Sequence, residues 1–242
     1  LRMVNTRISH TDPRPGDNCF IIIVAAGTGS RFGSDVPKQF LDFRGKTVLQ
    51  YSVEAFGRAL PGARIVLVLS PSGREHWLDI CRERGYSSPR IVTGGASRTE
   101  SVHNALKAIA PDIDDASVVM IHDGARPLVS EALICRVAAA FRSPGCEAVV
   151  PVVALTEALA SVSGDKAEPA DRALFRTVQT PQAFRAAILS RAYAAIGNSA
   201  LPDDAAAYTA FTGRAIDTVE GDRNNIKITN PRDLLIADIL SE

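Results

Sequence analysis

The sequence predicts an α/β fold: a mostly parallel sheet flanked by helices, with a β-hairpin arm inserted in its second half. Three observations predict it. Short, continuous apolar runs (Phe20 to Ala26, Arg64 to Ser70, Val118 to Ile121) recur along the chain, as expected of strands buried on both faces. Stretches of helical period lie between them, so that strand and helix alternate. The composition then shifts across 154–180, where the turn signal Ser163-Gly164-Asp165 separates two short β-prone pieces. The architecture expected is Rossmann-like.

A chain of 242 residues, 46% of them hydrophobic, is ample for one such domain with a substantial core. The organisation expected is a flexible leader over residues 1–18 and a single domain over residues 19–242, its arm at about 154–180. Twenty-seven Lys and Arg balance 27 Asp and Glu, so the totals point to no nucleic-acid partner and no acidic membrane surface. Any cationic site must be local. Cys19, Cys81, Cys135 and Cys146 are scattered and form no C-x-x-C pair, which fits reduced thiols in a cytoplasmic protein. The run Phe20 to Ala26 is too short to span a bilayer, and its flanks are not those of a signal peptide.

The first apolar run breaks into Gly27-Thr28-Gly29-Ser30-Arg31-Phe32-Gly33 and is closed by Pro37-Lys38-Gln39. Small residues directly after a buried strand let the backbone approach a ligand closely, as a phosphate cradle requires. A dinucleotide-binding G-x-G-x-x-G turn would place its third glycine one residue earlier and an acid about 20 positions further on. Here the next strand, Ile65 to Leu69, ends in Ser70-Pro71 with no carboxylate, and no Lys-Ser or Lys-Thr follows the glycines as in a P-loop. Two cations, Arg31 and Lys38, stand in their place, and they suit a polyanion such as a nucleoside triphosphate.

Further along, Thr47-Val48-Leu49-Gln50 is a capping-box pattern opening a helix whose apolar face runs through Val48, Leu49, Tyr51, Val53, Phe56 and Leu60. Arg64 to Ser70 reads as a central parallel strand, and Glu75 to Arg84 as a helix ended by Gly85. Arg90 to Thr93 is a third short strand meeting Gly94-Gly95-Ala96, after which Ser97 to Glu100 forms a second capping box. That junction is expected to present free backbone N–H groups to a polar ligand. Val118 to Ile121 delivers His122-Asp123-Gly124-Ala125-Arg126-Pro127 at a strand's carboxyl end, where open α/β sheets bind ligands. A helix over Ser130 to Pro144 and a strand over Glu147 to Val153 follow. The arm is expected to pair Ala158 to Val162 with Ala173 to Val178, and such a hairpin needs a partner surface. Pro181 is expected to open a helix through Ala194, and Asp203 to Tyr208 another, with acids favourable at its N-terminus. Ala215 to Val219 completes the strands, and Asn230-Pro231 starts the closing helix. His10, His76 and His103 lack partners at metal-ligand spacing.

Ala25-Ala26-Gly27-x-Gly29-x-Arg31 followed by Pro37-Lys38-Gln39 resembles the opening of the sugar-nucleotidyltransferase superfamily. The Pro-Lys-Gln version is similar to the cytidylyltransferases that act on 2-C-methyl-D-erythritol 4-phosphate in non-mevalonate isoprenoid biosynthesis. The resemblance continues through His122 to Pro127 and through Gly221 to Thr229, which matches G-x-x-x-N-I-K-[IV]-T. It implies that Ala25, Ala26, Gly27, Gly29, Gly95, Ser101, Asp123 and Gly124 bind CTP, that Asp123 faces a Mg²⁺ ion on the triphosphate, and that Arg31, Lys38, Arg172 and Lys227 are catalytic. Arg126, Arg172 and Thr156 would hold the substrate phosphate, and the arm would cross to a second subunit of a homodimer. His122 is expected to be structural. Departures lie at Ala96 and Asn224, where acids are frequent, and at Thr156-Glu157-Ala158-Leu159-Ala160, where the family usually reads Thr-Asp-Thr-Ile-Lys. The last departure bears on the choice of polyol phosphate and keeps two readings beside the main one, a ribitol-5-phosphate cytidylyltransferase and a non-catalytic CTP-binding regulator. In the main reading a phosphate monoester attacks the α-phosphorus of CTP. Its second pKa is about 6, so it is ionised at neutral pH and no general base is required.

Overall fold

In the computed structural model the described residues are 16–27, 36–197 and 201–241. In chain order the strands are β1 Cys19–Val24, β2 Asp42–Phe43, β3 Lys46–Thr47, β4 Arg64–Leu69, β5 Arg90–Thr93, β6 Val118–Asp123, β7 Ala148–Ala154, β8 Leu159–Ser163, β9 Lys166–Ala170, β10 Arg176–Val178, β11 Gln182–Arg185 and β12 Asp217–Glu220. The helices are α1 Val48–Ala59, α2 Pro71–Glu83, α3 Arg98–Ile109, α4 Glu131–Ala140, α5 Ala186–Ile196, α6 Asp204–Thr212 and α7 Pro231–Leu240.

The main sheet runs β10-β7-β11-β6-β1-β4-β5, with β12 on the other edge of β7. β1 pairs in parallel with both β4 and β6, and β4 with β5. Only β10 and β11 run antiparallel to their neighbours, so the sheet is mostly parallel, as expected. The chain leaves β1 toward β4 and β5 and then returns to β6 on the opposite side. The switch point therefore lies between β1 and β6, and a crevice opens there beyond their carboxyl ends.

Burial explains the continuous apolar run of β1. Ile21 and Ile23 face Phe56, Trp77 and Leu133 from α1, α2 and α4, while Phe20 and Ile22 face Val102, Leu189 and Tyr208 from α3, α5 and α6. With helices on both faces, successive residues all need apolar side chains. A smaller cluster of Phe43, Val48, Ile228 and Ala237 seats α7 against α1. No helix among the described residues is long and apolar enough to cross a membrane.

Helix α1 begins as expected, with the Thr47 side chain and Gln50 making the reciprocal capping box. Other boundaries differ, each for a local reason. α2 starts at Pro71 instead of Glu75, because Ser70 ends the strand and also caps the helix by accepting the Gly73 N–H, with proline at the first position. α4 ends at Ala140, short of Pro144. Gln182–Arg185 is a strand where a helix was expected. Ala183 and Phe184 are buried on opposite faces of the sheet, and the segment fills the slot between β6 and β7. Four residues are too few to show that period in a sequence. The arm is the hairpin β8–β9 around Gly164, so Ser161 pairs with Glu168, and the second strand is Lys166–Ala170 instead of Ala173 to Val178. Lys-Ala-Glu-Pro-Ala has little intrinsic strand preference, whereas Arg176–Val178, which has more, returns to the main sheet beside β7.

Candidate active site

A cleft of about 550 Å³ sits at the switch point, lined by Val24 at the end of β1 and Ala25 to Gly27 after it, Lys38 and Gln39, Ser70, Gly95 to Arg98, Ser101, Asp123, Ala125 and Lys227. Its cradle is built by backbone clamps. Gln39, buried after Lys38 in a short 3-10 turn, donates from Nε2 to the carbonyls of Ala25 at 2.8 Å and Gly27 at 3.0 Å. That clamp ties Ala25 and Gly27 to the turn that carries Lys38 at the cleft. Gly29 and Arg31, both expected in the site, lie outside the described residues.

Two glycines are demanded by close approach. A Cβ on Gly94 would lie 2.5 Å from the Cβ of Ala26, and one on Gly124 would lie 2.9 Å from that of Ala25. The β5 and β6 loops thus pack directly on the cradle. The free amides expected at the start of α3 are already used: Gly94 N–H donates to the Leu69 carbonyl, Gly95 N–H to Ser101 Oγ at 3.0 Å, and Ala96 N–H to Glu100 Oε2 at 2.8 Å. Glu100 reaches Ala96 instead of closing a reciprocal box with Ser97, which itself caps α3 by accepting the Glu100 N–H. Ser101 is buried and keeps its own O–H to donate.

Asp123, at the end of β6, is the electrostatic centre. Its Oδ2 is 2.8 Å from Lys227 Nζ and 3.7 Å from Arg126 Nε, and its Oδ1 is 3.4 Å from Arg98 Nε. Burial alone would raise its pKa, but Arg98, Lys227 and Arg126 together hold the carboxyl well below the usual carboxylate range. Lys227 arrives because Ile228 N–H donates to the Ala125 carbonyl, and because Gln179 holds both the N–H and the carbonyl of Asp222. Arg126 donates to the Asn225 carbonyl at 2.7 Å and lines no part of the cleft wall; it fastens the Lys227 loop to the β6 loop.

His122 is fully buried behind Asp123, in keeping with a structural role. Thr180 Oγ1 accepts the Asp123 N–H at 3.1 Å, so its hydroxyl proton is left for His122 Nδ1 at 3.0 Å, and His122 Nε2–H then points at the Arg126 carbonyl. A second ring proton would compete with that Thr180 donor. Burial pushes the imidazole down to about 4 from 6.5, so the fold holds it neutral. Its stabilising contribution is complete above about pH 6.5 and is lost as pH falls toward about 4, which amounts to about 3 kcal/mol. Urea unfolding of the wild type across that window should show this loss, and His122→Gln should flatten the curve; parallel curves would contradict the assignment.

Arg172 and Thr156 belong to the arm. Arg172 donates to the Thr156 carbonyl, both are exposed, and neither lines the cleft of their own chain. Sequence reading passed over Arg98 and Asp204. Arg98 was hidden inside a capping pattern, and Asp204 stood where an acid is expected on dipole grounds alone; the doubling of Asp203-Asp204 where one cap suffices was the available signal.

Comparison with known proteins bears on this geometry. Residues 19–242 match the family model described as IspD: 2-C-methyl-D-erythritol 4-phosphate cytidylyltransferase. The chain belongs to that family. It is thereby a nucleotidyltransferase, and the 2-C-methyl-D-erythritol 4-phosphate cytidylyltransferase of Bacteroides fragilis is 39% identical to it over 222 residues, covering 90% of this chain and 97% of the relative. That of Phocaeicola vulgatus is 38% identical, covering 92% and 99%. Among solved structures, the cytidylyltransferase of the same name from Thermus thermophilus shares 32% identity at a TM-score of 0.68, covering 91% of this chain and 97% of its own. The Francisella tularensis enzyme of the IspD family shares 29% at 0.75, covering 92% and 99%.

Proposed function

We propose that the cleft joins CTP to 2-C-methyl-D-erythritol 4-phosphate, giving 4-diphosphocytidyl-2-C-methyl-D-erythritol and pyrophosphate. An oxygen of the sugar phosphate forms a bond to the α-phosphorus, and the bond from that phosphorus to the bridging oxygen of the β-phosphate breaks. The observation that carries this reading is the convergence of Lys38 and Lys227, far apart in sequence, with Asp123 on one cleft at the strand ends. No base is needed to generate the nucleophile, so the work is electrostatic: two polyanions must meet, and charge grows on the leaving group. Lys38, with Arg31, neutralises the triphosphate and the departing pyrophosphate; Lys227 guides the incoming phosphate. Gly95 and Ser101 border the nucleotide, with Ala25, Ala26, Gly27, Gly29 and Gly124 forming its backbone surround.

Asp123 is an ionised, hard oxygen donor at the triphosphate's place, which fits Mg²⁺ bound through one carboxylate and substrate phosphates. No group of three or more His, Cys, Asp and Glu among the described residues could hold a metal without substrate. When bound, the ion supplies charge neutralisation at the phosphate oxygens.

The arm is assigned to a homodimer, where Arg172 and Thr156 of one copy would serve the cleft of the other. Supporting this, Val162, Leu174, Phe175 and Val178 are all exposed in and beside the arm, at 72%, 80%, 49% and 42%. Arg126 then acts by holding the Lys227 loop and not by touching the phosphate. A cytoplasmic setting accords with four free cysteines, of which Cys19, Cys81 and Cys146 are buried.

The test is pyrophosphate release from CTP with 2-C-methyl-D-erythritol 4-phosphate and, in parallel, ribitol 5-phosphate. Turnover should be faster with the former. Equal or reversed preference would overturn the substrate assignment, and CTP binding without release from either would overturn the catalytic one.

A further inference from the structure

Asp204 is fully buried at the first position of α6, yet the helix does not need it there. Asp203 already caps α6, accepting the Ala206 N–H at 2.9 Å. Asp204 turns inward instead. Its two oxygens take Arg98 Nη1 at 3.1 Å and Nη2 at 2.7 Å, and Oδ1 also accepts the Tyr193 hydroxyl at 2.5 Å. Arg98 therefore bridges two carboxylates: Asp204 behind the cleft through both Nη groups, and Asp123 in the cleft through Nε at 3.4 Å. A guanidinium is planar, so gripping both Nη atoms with one carboxylate also sets the direction in which Nε points. Asp204 touches no part of the cleft surface and acts on it only through Arg98.

We propose that Asp204 is a positioning residue for the transfer reaction. It holds Arg98 in the pose that offers Nε alone to Asp123, so that the Oδ2 edge of Asp123 stays with Lys227 and faces the triphosphate. Released from Asp204, the guanidinium would turn its paired Nη groups onto Asp123 and displace that carboxylate's geometry. Tyr193 supports the same pose by occupying the remaining lone pair of Asp204 Oδ1. The directions of the shifted groups agree: although burial opposes its charge, Arg98 is raised by Asp204 and then Asp123, and the Tyr193 hydroxyl is raised by burial and then by Asp204. The inference rests on the function proposed above and adds to it the element that aims the carboxylate.

The experiment is a double-mutant cycle on the full chain, with Asp204→Asn, Arg98→Lys and the double variant, reading kcat, the KM for CTP and the unfolding midpoint. Asp204→Asn keeps the volume but loses the charged fork. Its kcat should fall about 10- to 100-fold with KM for CTP changed less than about threefold, because misplacement of a reacting group by about 1 Å costs on that order. In the Arg98→Lys background the same change should be nearly silent, within about twofold, since residues acting through one partner are not additive. An unchanged kcat in Asp204→Asn, or its full effect persisting when Arg98 is lysine, would sink the inference while leaving the reaction intact. A purely structural role would lower the midpoint alone. Should Asp204→Asn not fold, Tyr193→Phe enters the same cycle, with an expected two- to fivefold loss of kcat that vanishes beside Arg98→Lys; no loss counts against the proposal. Wild-type protein that releases no pyrophosphate would overturn the proposed function and this inference with it.

Discussion

Replacing Lys38 by alanine is expected to lower kcat for pyrophosphate release by about 10²–10³ while leaving the unfolding midpoint nearly unchanged. The separation of the two effects follows from where Lys38 stands. Its turn is seated by Gln39, whose buried amide holds the carbonyls of Ala25 and Gly27, and by Phe40, which packs in the core; the lysine side chain itself lines the cleft. On the proposed role, removing it takes a cation from the cleft, while Gln39 and Phe40 still seat the turn. Turnover near wild type in this variant, with the protein folded, would remove Lys38 from the transition state. The same rate loss is expected of Arg31→Ala.

Asp123→Asn should lose both rate and stability. The carboxylate receives Lys227 at 2.8 Å, Arg98 at 3.4 Å and Arg126 at 3.7 Å, and its side chain is only 12% exposed. Neutralising it leaves three cations converging without their common partner. Breaking a buried ion pair from one side costs about 3–5 kcal/mol, and because Arg98 keeps Asp204 and Lys227 is partly solvated, a loss of about 2–3 kcal/mol is expected by urea unfolding. The rate should fall by at least about 10²-fold, since the residue proposed to hold the metal and to orient Lys227 is gone. A folded, equally stable Asp123→Asn protein would mean that the three cations are held by other partners.

These two variants also show what could be read from residues in order and what could not. The alternation of apolar runs with helical stretches, the capping box at Thr47 and the turn at Lys38 that follows the glycines are local patterns, and the fold keeps them. Strand β11 was not legible, because Gln-Ala-Phe-Arg becomes a strand only when β6 and β7 leave a slot that buries Ala183 on one face and Phe184 on the other. The arm's second strand failed for the converse reason: Arg176–Val178, the better strand former, is claimed by the edge of β7, and Lys166–Ala170 is left to pair with β8. At α3 the amides that looked open to a ligand are already taken by Ser101 and Glu100.

The amino-acid sequence alone determined the two-sided parallel sheet and the cationic character of its first loop, since both arise from neighbours along the chain and the period of apolar residues. Only the tertiary structure decided that Asp123 would be gripped by cations from α3 and from the segment before α7, and that Asp204 would stand behind Arg98. Those pairings join residues from separate elements. Their strength comes from shared burial, which no stretch of residues specifies until the sheet has brought the elements together.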